Sequence, residues 1–333
     1  MTAVQGLAGV LWIGVIAYAL FGGADFGGGF WDLTAGSAQS GATTRARISH
    51  SMGPVWEANH VWLIFALVVL WTGFPAVFAS LASTLFIPFT LVAFGVILRG
   101  SAFAFRKETK EIALMRVFGA TFASSSIATP FFLGTMAGAI ASGRIPLGVD
   151  KGNIITAWLN PFSIYAGILA VGTTAWLAAV FLAADAHRDR EVELCEAFRR
   201  KGLGSGLAVG AFTFLGIALV RSQAPLLYHG LVTKALWVVG LSALAGVVSI
   251  ALLYRRQYQY LRITGSLAVV TVFVGWAVAQ YPHMLVGGPT LNQAAAPVPI
   301  PGDMLWALAL GGALIIPSLA WLYFLFAGQK QST

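Results

Sequence analysis

Five polar or ionisable side chains occur inside or at the ends of long apolar segments, where a lipid environment makes them costly. They are Asp25, Glu57, Asn59, His60 and Arg99. Glu57 and His60 are three residues apart, so on a helix they share one face. A carboxylate and an imidazole at that spacing could pass protons, since both titrate near neutral pH once their surroundings shift their pKa values. We therefore interpret Glu57, Asp25, Asn59 and His60 as a proton path.

Each of these residues also has a structural interpretation. Glu57 could be a favourable negative charge near a helix N-terminus. Asp25 could be a turn residue, because the glycines around it either let the helix end and turn or let neighbouring backbones approach closely. His60 by itself fits a structural role better than a functional one, and Arg99 could extend its charge to the membrane surface. These alternatives stay open at the level of sequence.

Metal, nucleotide and haem binding are not predicted for this chain. A single Glu-x-x-His pair supplies too few ligands for a metal site, and the glycine run after the first apolar segment does not form a dinucleotide fingerprint. The one cysteine, Cys195, leaves no internal disulfide and no cysteine-based cluster. None of the histidines lies well inside a predicted span, where a haem iron would need an axial ligand.

The elements that must position these residues are predicted to be membrane-spanning helices. Of 333 residues, 58% are hydrophobic and only 10% are charged, whereas soluble domains carry about 25% charged residues. The net charge of +8 is typical of basic cytoplasmic loops and does not require a nucleic acid partner. Spans of about 20 apolar residues are predicted within one integral membrane domain, residues 1–333. They lie near 4–22, 54–73, 76–98, 117–141, 162–184, 204–220, 232–253, 264–281 and 304–327.

The basic residues predict the orientation. With the N-terminus outside, sixteen of the twenty Lys and Arg residues fall on inside segments, which indicates an external N-terminus and a cytoplasmic C-terminus. Asp25 then follows the first span, Arg99 closes the third, and all five polar residues lie at cytoplasmic helix ends. Residues 185–201 are predicted to be a cytoplasmic amphipathic helix or a solvated connector. Residues 287–302 are predicted to be an external loop, and residues 72–75 a very tight turn.

Several segments resemble motifs of cytochrome bd oxidase subunit II. Tyr18–Gly27 resembles its Asp-Gly-Phe-Asp-x-Gly segment, and residues 53–63 resemble its most specific signature, Pro-x-Trp-Asp/Glu-Gly-Asn-x-Val-Trp-Leu. Arg99–Arg106 is similar to Arg-Pro-x-x-Phe-x-x-Arg, Leu159–Phe162 to the segment that opens the fifth helix, and Tyr281-Pro282 to a pair that ends the eighth. Trp56 and Asn160, which belong to these motifs, are interpreted together with Arg99 as structural or subunit-interface residues.

The sequence departs from the family pattern at four positions. Gly22 replaces the first acidic residue of the first motif, Ala58 replaces a glycine, His60 is not the usual residue, and Gly100 replaces a proline. These departures are typical of a divergent branch of the family. The sequence therefore does not identify the electron donor of the complex.

The resemblance implies an all-α polytopic membrane protein with two four-helix bundles and one peripheral helix, in a bacterial or archaeal cytoplasmic membrane. It implies a haem-free subunit that stabilises a partner, subunit I, which carries haems b and d and reduces oxygen to water. It also implies a cytoplasmic proton-uptake path that includes Glu57. A small accessory subunit, and a structural quinone or lipid, would be compatible with it. The alternative is a secondary transporter, which would place charges near span centres; the charges here cluster at one side and favour the oxidase subunit.

Overall fold

The chain folds into α-helices joined by turns and loops, as expected for backbone that must satisfy its own hydrogen bonds in lipid. A computed structural model describes residues 2–37, 39–52, 56–109 and 111–327, and no β-strand forms among them. The helices are α1 (Ala3–Ala17), α2 (Gly23–Leu33), α3 (Ala42–Met52), α4 (Trp56–Gly73), α5 (Pro75–Thr84), α6 (Phe86–Glu108), α7 (Ile112–Ala141), α8 (Pro161–Arg188), α9 (Val192–Gln223), α10 (Pro225–Thr233), α11 (Leu236–Tyr254), α12 (Leu261–Gln280), α13 (Leu291–Ala294) and α14 (Ile300–Ala327).

The predicted all-helical, multi-span architecture is confirmed. Within the described residues, seven helices are long and apolar enough to cross a membrane. The pair α3 and α4, inclined to each other by 52°, makes eight if counted as one span. The ninth predicted span corresponds to α14, Ile300–Ala327, of which the part Ile300–Ile315 is counted among the shorter apolar helices. The count of nine and the orientation of the termini therefore stay predictions.

The first span continues well past its predicted end at residue 22. A π-helical turn, Tyr18–Gly22, joins α1 to α2 without a break, so one helix runs from Ala3 to Leu33. The interpretation of Asp25 as a turn residue after the span is therefore wrong. The glycines do not end the helix, because α7 and α8 pack closely against it there. A Cβ on Gly27 would collide with the backbone oxygen of Thr174 in α8.

The third predicted span, 76–98, is two helices. The chain turns at Phe74 between α4 and Pro75, which confirms the tight turn, but α5 ends after ten residues and α6 begins at Phe86. Since α6 continues to Glu108, Arg99 does not close a span. It lies inside the helix, about nine residues or roughly 14 Å from its end.

The segment 185–201 is neither a connector nor a surface helix. Helix α8 continues to Arg188 and α9 begins at Val192, so only three residues join two long helices. Arg190 takes a positive φ of 62° in this turn. The segment 287–302, predicted to be an external loop, is largely irregular, although it contains α13 and the start of α14.

Helices α2, α7 and α8 pack together at the centre of the structure. Around them α6 packs on α7, α9 on α8, and α11 on α12, while α14 contacts only α1 and α4 among its main neighbours. This arrangement fits two groups of helices and one peripheral helix.

Ion pairs connect several helices near the end of α2 and the start of α9. The carboxylate of Asp32, almost fully buried, accepts from Arg45 at 2.9 Å and from Arg106 at 2.5 Å. Buried Arg47 in α3 donates to Asp189 at 2.6 Å. These pairs connect α2, α3, α6 and the turn between α8 and α9.

An internal structural repeat relates the two halves of the chain with a shift of 150 residues. Phe74, at φ −138° and ψ 59°, corresponds to Ala224, at φ −136° and ψ 57°. Each is followed by a proline and a short helix, and α6 and α11 then begin at residues 86 and 236. Beyond Pro75 and Pro225 the turn sequences share almost nothing, so the repeat was not apparent from the residues.

Candidate functional site

Asp25 is the centre of a buried polar cluster between α2, α4 and α6. Its side chain is almost completely enclosed, with 4% of the residue exposed. The amide Nδ2 of Asn59, in the first turn of α4, donates to Asp25 Oδ2 at 2.7 Å. The same amide lies 3.4 Å from the carbonyl oxygen of Phe21 in the π-helical turn. Two of the predicted residues are thus brought into direct contact.

Arg99 supplies the positive charge of the cluster. It is 1% exposed, and its Nε donates to Ser126 Oγ of α7 at 3.1 Å. The guanidinium carbon lies 5.0 Å from the ring centroid of Phe26 and 5.2 Å from that of Phe122, which is the distance range of cation–π contacts. The charge of Arg99 acts on Asp25. Arg99 therefore does not extend to the membrane surface but is held inside the bundle.

Tyr18 and His60 also belong to the cluster, and their polar atoms lack hydrogen-bond partners among the described residues. Their rings lie 6.0 Å apart. The hydroxyl of Tyr18, both ring nitrogens of His60 and Nη2 of Arg99 are buried and have no hydrogen-bond partner among the described residues. Such groups usually bind ordered water, because burial without a partner costs about 1–3 kcal/mol each.

Glu57 faces away from this cluster. It is exposed on α4, whereas Asn59 on the same turn is buried and His60 is half-buried. The three-residue spacing predicted that Glu57 and His60 share one face of the helix. In the structure Glu57 faces the outer surface of the protein, whereas His60 is partly turned towards the interior. Residues 53–55, which begin the most specific motif, lie outside the described residues.

Trp56 and Asn160 have different surroundings. The ring centroid of Trp56 lies 5.5 Å from that of Phe103 and 6.5 Å from that of His60, so Trp56 forms one wall of the cluster. Asn160 lies elsewhere and caps α8: its side chain accepts from the backbone N–H of Ser163 at 3.0 Å. Capping of this kind stabilises a helix end.

Sequence reasoning missed Tyr18, Phe26, Ser126 and Phe122 as members of the cluster. Aromatic and hydroxyl side chains are ordinary in apolar helices, so their residue types carried no signal. The π-helical turn was also invisible, although such turns often mark functional sites. It inserts an extra residue and so rotates the remainder of the helix, α2, by about 100°.

The side chains of the cluster differ in what they can do with protons. It contains a carboxylate, an imidazole, a phenol and a fixed cation, the first three of which can exchange protons. Within the described part of the chain, no three His, Cys, Asp or Glu side chains come together as potential metal ligands.

Comparison with known proteins agrees with the motifs. The family model described as cytochrome bd terminal oxidase subunit II matches residues 5–326. The chain is 29% identical to cytochrome bd ubiquinol oxidase subunit 2 of Bacillus subtilis over 47% of this chain and 48% of that protein. It is 30% identical to cytochrome bd-I ubiquinol oxidase subunit 2 of Escherichia coli over 53% of this chain and 46% of that protein. The chain thus spans about half the length of these two relatives in the matched regions.

The fold is similar to that of a solved structure, the bd oxidase from Geobacillus thermodenitrificans. The TM-score is 0.76 at 23% identity, covering 99% of this chain and 100% of that one. The family match extends over nearly the whole chain, and the motifs occur in the same order along it. The chain therefore belongs to the cytochrome bd terminal oxidase subunit II family.

Proposed function

We propose that this chain is the haem-free subunit II of a quinol:oxygen oxidoreductase in the bacterial cytoplasmic membrane, oriented with its N-terminus outside. It stabilises the haem-bearing subunit I and contributes a cytoplasmic path for the protons consumed when oxygen is reduced to water. Family membership supports the partner and the reaction. The buried cluster of Asp25, Asn59 and Arg99 is the observation that carries the proton role.

A comparison between the repeats supports a functional reason for the cluster. Helices α6 and α11 begin at equivalent positions, so Ser249 is the counterpart of Arg99. Both residues are buried, at 0% and 1% exposure, but Ser249 only donates to Ala245 in its own helix. The same packing position is thus filled without a charge in the second half. Because an intramembrane charge is costly, its retention in the first half indicates a role beyond folding.

Glu57 is proposed as the outer end of the path. It heads a stripe of exposed residues at heptad spacing on α4, namely Glu57, Val61, Ile64, Val68 and Trp71. An exposed carboxylate near a span needs a polar partner, and a seam of this spacing packs against another helix. We propose that subunit I covers this stripe, so that Glu57 lies at the subunit interface. Water then connects it to His60, Tyr18 and Asp25.

The equivalent stripe on α9 supports the proposal that the exposed face of α4 is the one covered by subunit I. Its residues are Leu207, Ala211, Phe214, Ala218 and Arg221, all of them exposed. Leu207 occupies the position that corresponds to Glu57. The two repeats therefore present the same surface to their surroundings, but only the α4 stripe carries an acidic residue that lipid would not accommodate.

Replacement of Glu57 by Gln in the assembled complex tests the proton role. We expect oxygen consumption at saturating quinol to fall while the haem spectrum stays intact, because Gln cannot carry a proton. Glu193→Gln, an exposed acidic residue in the first turn of α9, is the matched control and should leave turnover unchanged. Unchanged turnover in Glu57→Gln would contradict the proposed path.

An optical spectrum of the purified chain with its co-purifying proteins tests the partner. We expect bands of haems b and d only when a second large subunit is present. A chain that purifies stably alone, with no haem and no partner, would instead favour the transporter alternative.

A further inference from the structure

A groove between α9 and α10 combines an apolar wall with a polar end. It has a volume of about 670 Å³ and is lined by Phe214, Ile217, Ala218, Arg221, Ser222 and Tyr228. The first three residues form the wall along α9. The last three bring a guanidinium and two hydroxyl groups to the point where α9 ends and α10 begins.

Arg221 is an exposed cation at the level of a membrane surface. Among the described residues it has no ion pair, and its guanidinium carbon lies 6.0 Å from the ring centroid of Tyr228. Arg200, near the other end of α9, is 21 residues away, or about 32 Å along the helix. That distance matches the hydrocarbon thickness of about 30 Å. The two arginines therefore lie at the headgroup levels of opposite leaflets.

The internal repeat shows that the fold does not require this polar end. In the first half the counterparts of Arg221 and Tyr228 are Trp71 and Phe78, whose rings stack at a centroid distance of 5.8 Å. The burial of residues 71–78 closely follows that of residues 221–228. An aromatic pair thus builds the same corner without any charge.

We propose that the groove binds one anionic phospholipid, with its phosphate at Arg221 and Tyr228 and an acyl chain along Phe214 and Ile217. A guanidinium is suited to a phosphate because it offers several donors in one plane. The apolar wall points from that cation towards the bilayer centre, which is the direction an acyl chain takes. The α9 stripe carries no acidic residue to compete for Arg221. This site is separate from the proton path and does not depend on it.

Photolabelling of the assembled complex in phosphatidylcholine nanodiscs tests the site. Samples contain a small fraction of either photoactivatable phosphatidylglycerol or photoactivatable phosphatidylcholine, and labelled α9–α10 peptides are identified by mass spectrometry. One interfacial arginine at an anionic headgroup corresponds to about a fivefold preference. We expect phosphatidylglycerol to label these peptides about fivefold more than phosphatidylcholine in the unmodified complex, and Arg221→Gln to remove the preference.

Two further variants make the result specific. Arg221→Lys keeps the charge and should retain most of the preference. Arg200→Ala removes an exposed arginine from the opposite end of the same helix and should leave labelling at α9–α10 unchanged. Equal labelling by the two lipids in the unmodified complex would overturn the proposal, and so would a preference that survives Arg221→Gln. Absence of labelling by either lipid would also overturn it, because a protein would then cover the groove.

Discussion

The side chain of Asn59 donates a 2.7 Å hydrogen bond to the carboxylate of Asp25 and so joins the first turn of α4 to the middle of a helix that runs from Ala3 to Leu33. Asp25 therefore has a neutral donor in direct contact, while the charge of Arg99 acts on it without a salt bridge between these two described residues. A carboxylate held in this way can accept a proton without first breaking an ion pair.

Arg99→Met is expected to destabilise the complex more than the double variant Asp25→Asn/Arg99→Met. The single change leaves a buried carboxylate without the nearby positive charge that acts on it, whereas the double change removes both buried charges. Thermal unfolding of the assembled complex, followed through its haem absorbance, measures the difference. If the two variants lose the same stability, the charges of Asp25 and Arg99 are not coupled.

Gly27→Ala is expected to destabilise the packing of α2 on α8 by about 1–3 kcal/mol, because the added methyl group overlaps the backbone of Thr174. Gly9→Ala in α1 is the matched control, since a Cβ there meets nothing within 4 Å. It should be neutral or slightly stabilising, as alanine favours helix over glycine. Comparison of the two melting temperatures checks the prediction, and a larger loss in Gly9→Ala would contradict the close approach of α2 and α8.

Ile64→Trp is expected to reduce the amount of haem-bearing subunit that co-purifies with this chain. Ile64 lies in the exposed α4 stripe, and a bulky side chain there would keep a docked helix apart. Leu215→Trp, on the exposed surface of α9, should have no such effect because lipid adapts to the larger ring. Subunit stoichiometry after purification gives the answer. Equal losses in both variants would mean that the α4 stripe is not the docking surface.

Stability is expected to depend on pH through Asp189. The hydrogen bond from Arg47 holds the pKa of this carboxylate below its usual value. Such a group stabilises the folded state fully above its unfolded pKa, about 3.9, and the contribution is lost as pH falls through the lower folded value. Its side chain is about one-third exposed, at 34%, so the effect is modest.

Asp189→Asn tests this dependence. The difference in melting temperature between the unmodified complex and the variant should be constant from about pH 7 to pH 5 and shrink below about pH 4. Glu193→Gln, whose carboxylate is exposed at the start of α9, should show little difference over the same range. A difference that grows on acidification would contradict the sign of the shift.

Sequence reasoning predicted long apolar helices and placed several of their ends wrongly. Apolar segments of about 20 residues identify helices because lipid leaves the backbone no alternative. Helix ends depend on what packs nearby. The glycines after residue 22 were compatible with a turn, and α2 continues through them because α8 and α7 lie close enough to need the missing side chains. Helix α6 likewise continues past the predicted end of its span, so Arg99 lies inside the bundle.

The candidate site was predicted in part. Asp25, Asn59, His60 and Arg99 were named because ionisable and amide groups are rare in spans, and the structure places all four in one cluster or at its wall. Glu57 was grouped with His60 from a three-residue spacing, yet it faces outward. A spacing says which residues share a helix face but not which face is covered. Tyr18 and Ser126 gave no signal, because hydroxyl groups are common in apolar helices.

The sequence by itself determined that this protein is helical, lies in a membrane and carries the motifs of its family, since composition and short motifs are local properties. Only the tertiary structure decided which polar residues meet, which face of α4 is exposed, and that the two halves repeat. Those features depend on contacts between segments far apart in the chain. The corner at Trp71 and Phe78 and the corner at Arg221 and Tyr228 have the same geometry with unrelated residues, because backbone packing, rather than side-chain identity, sets their shape.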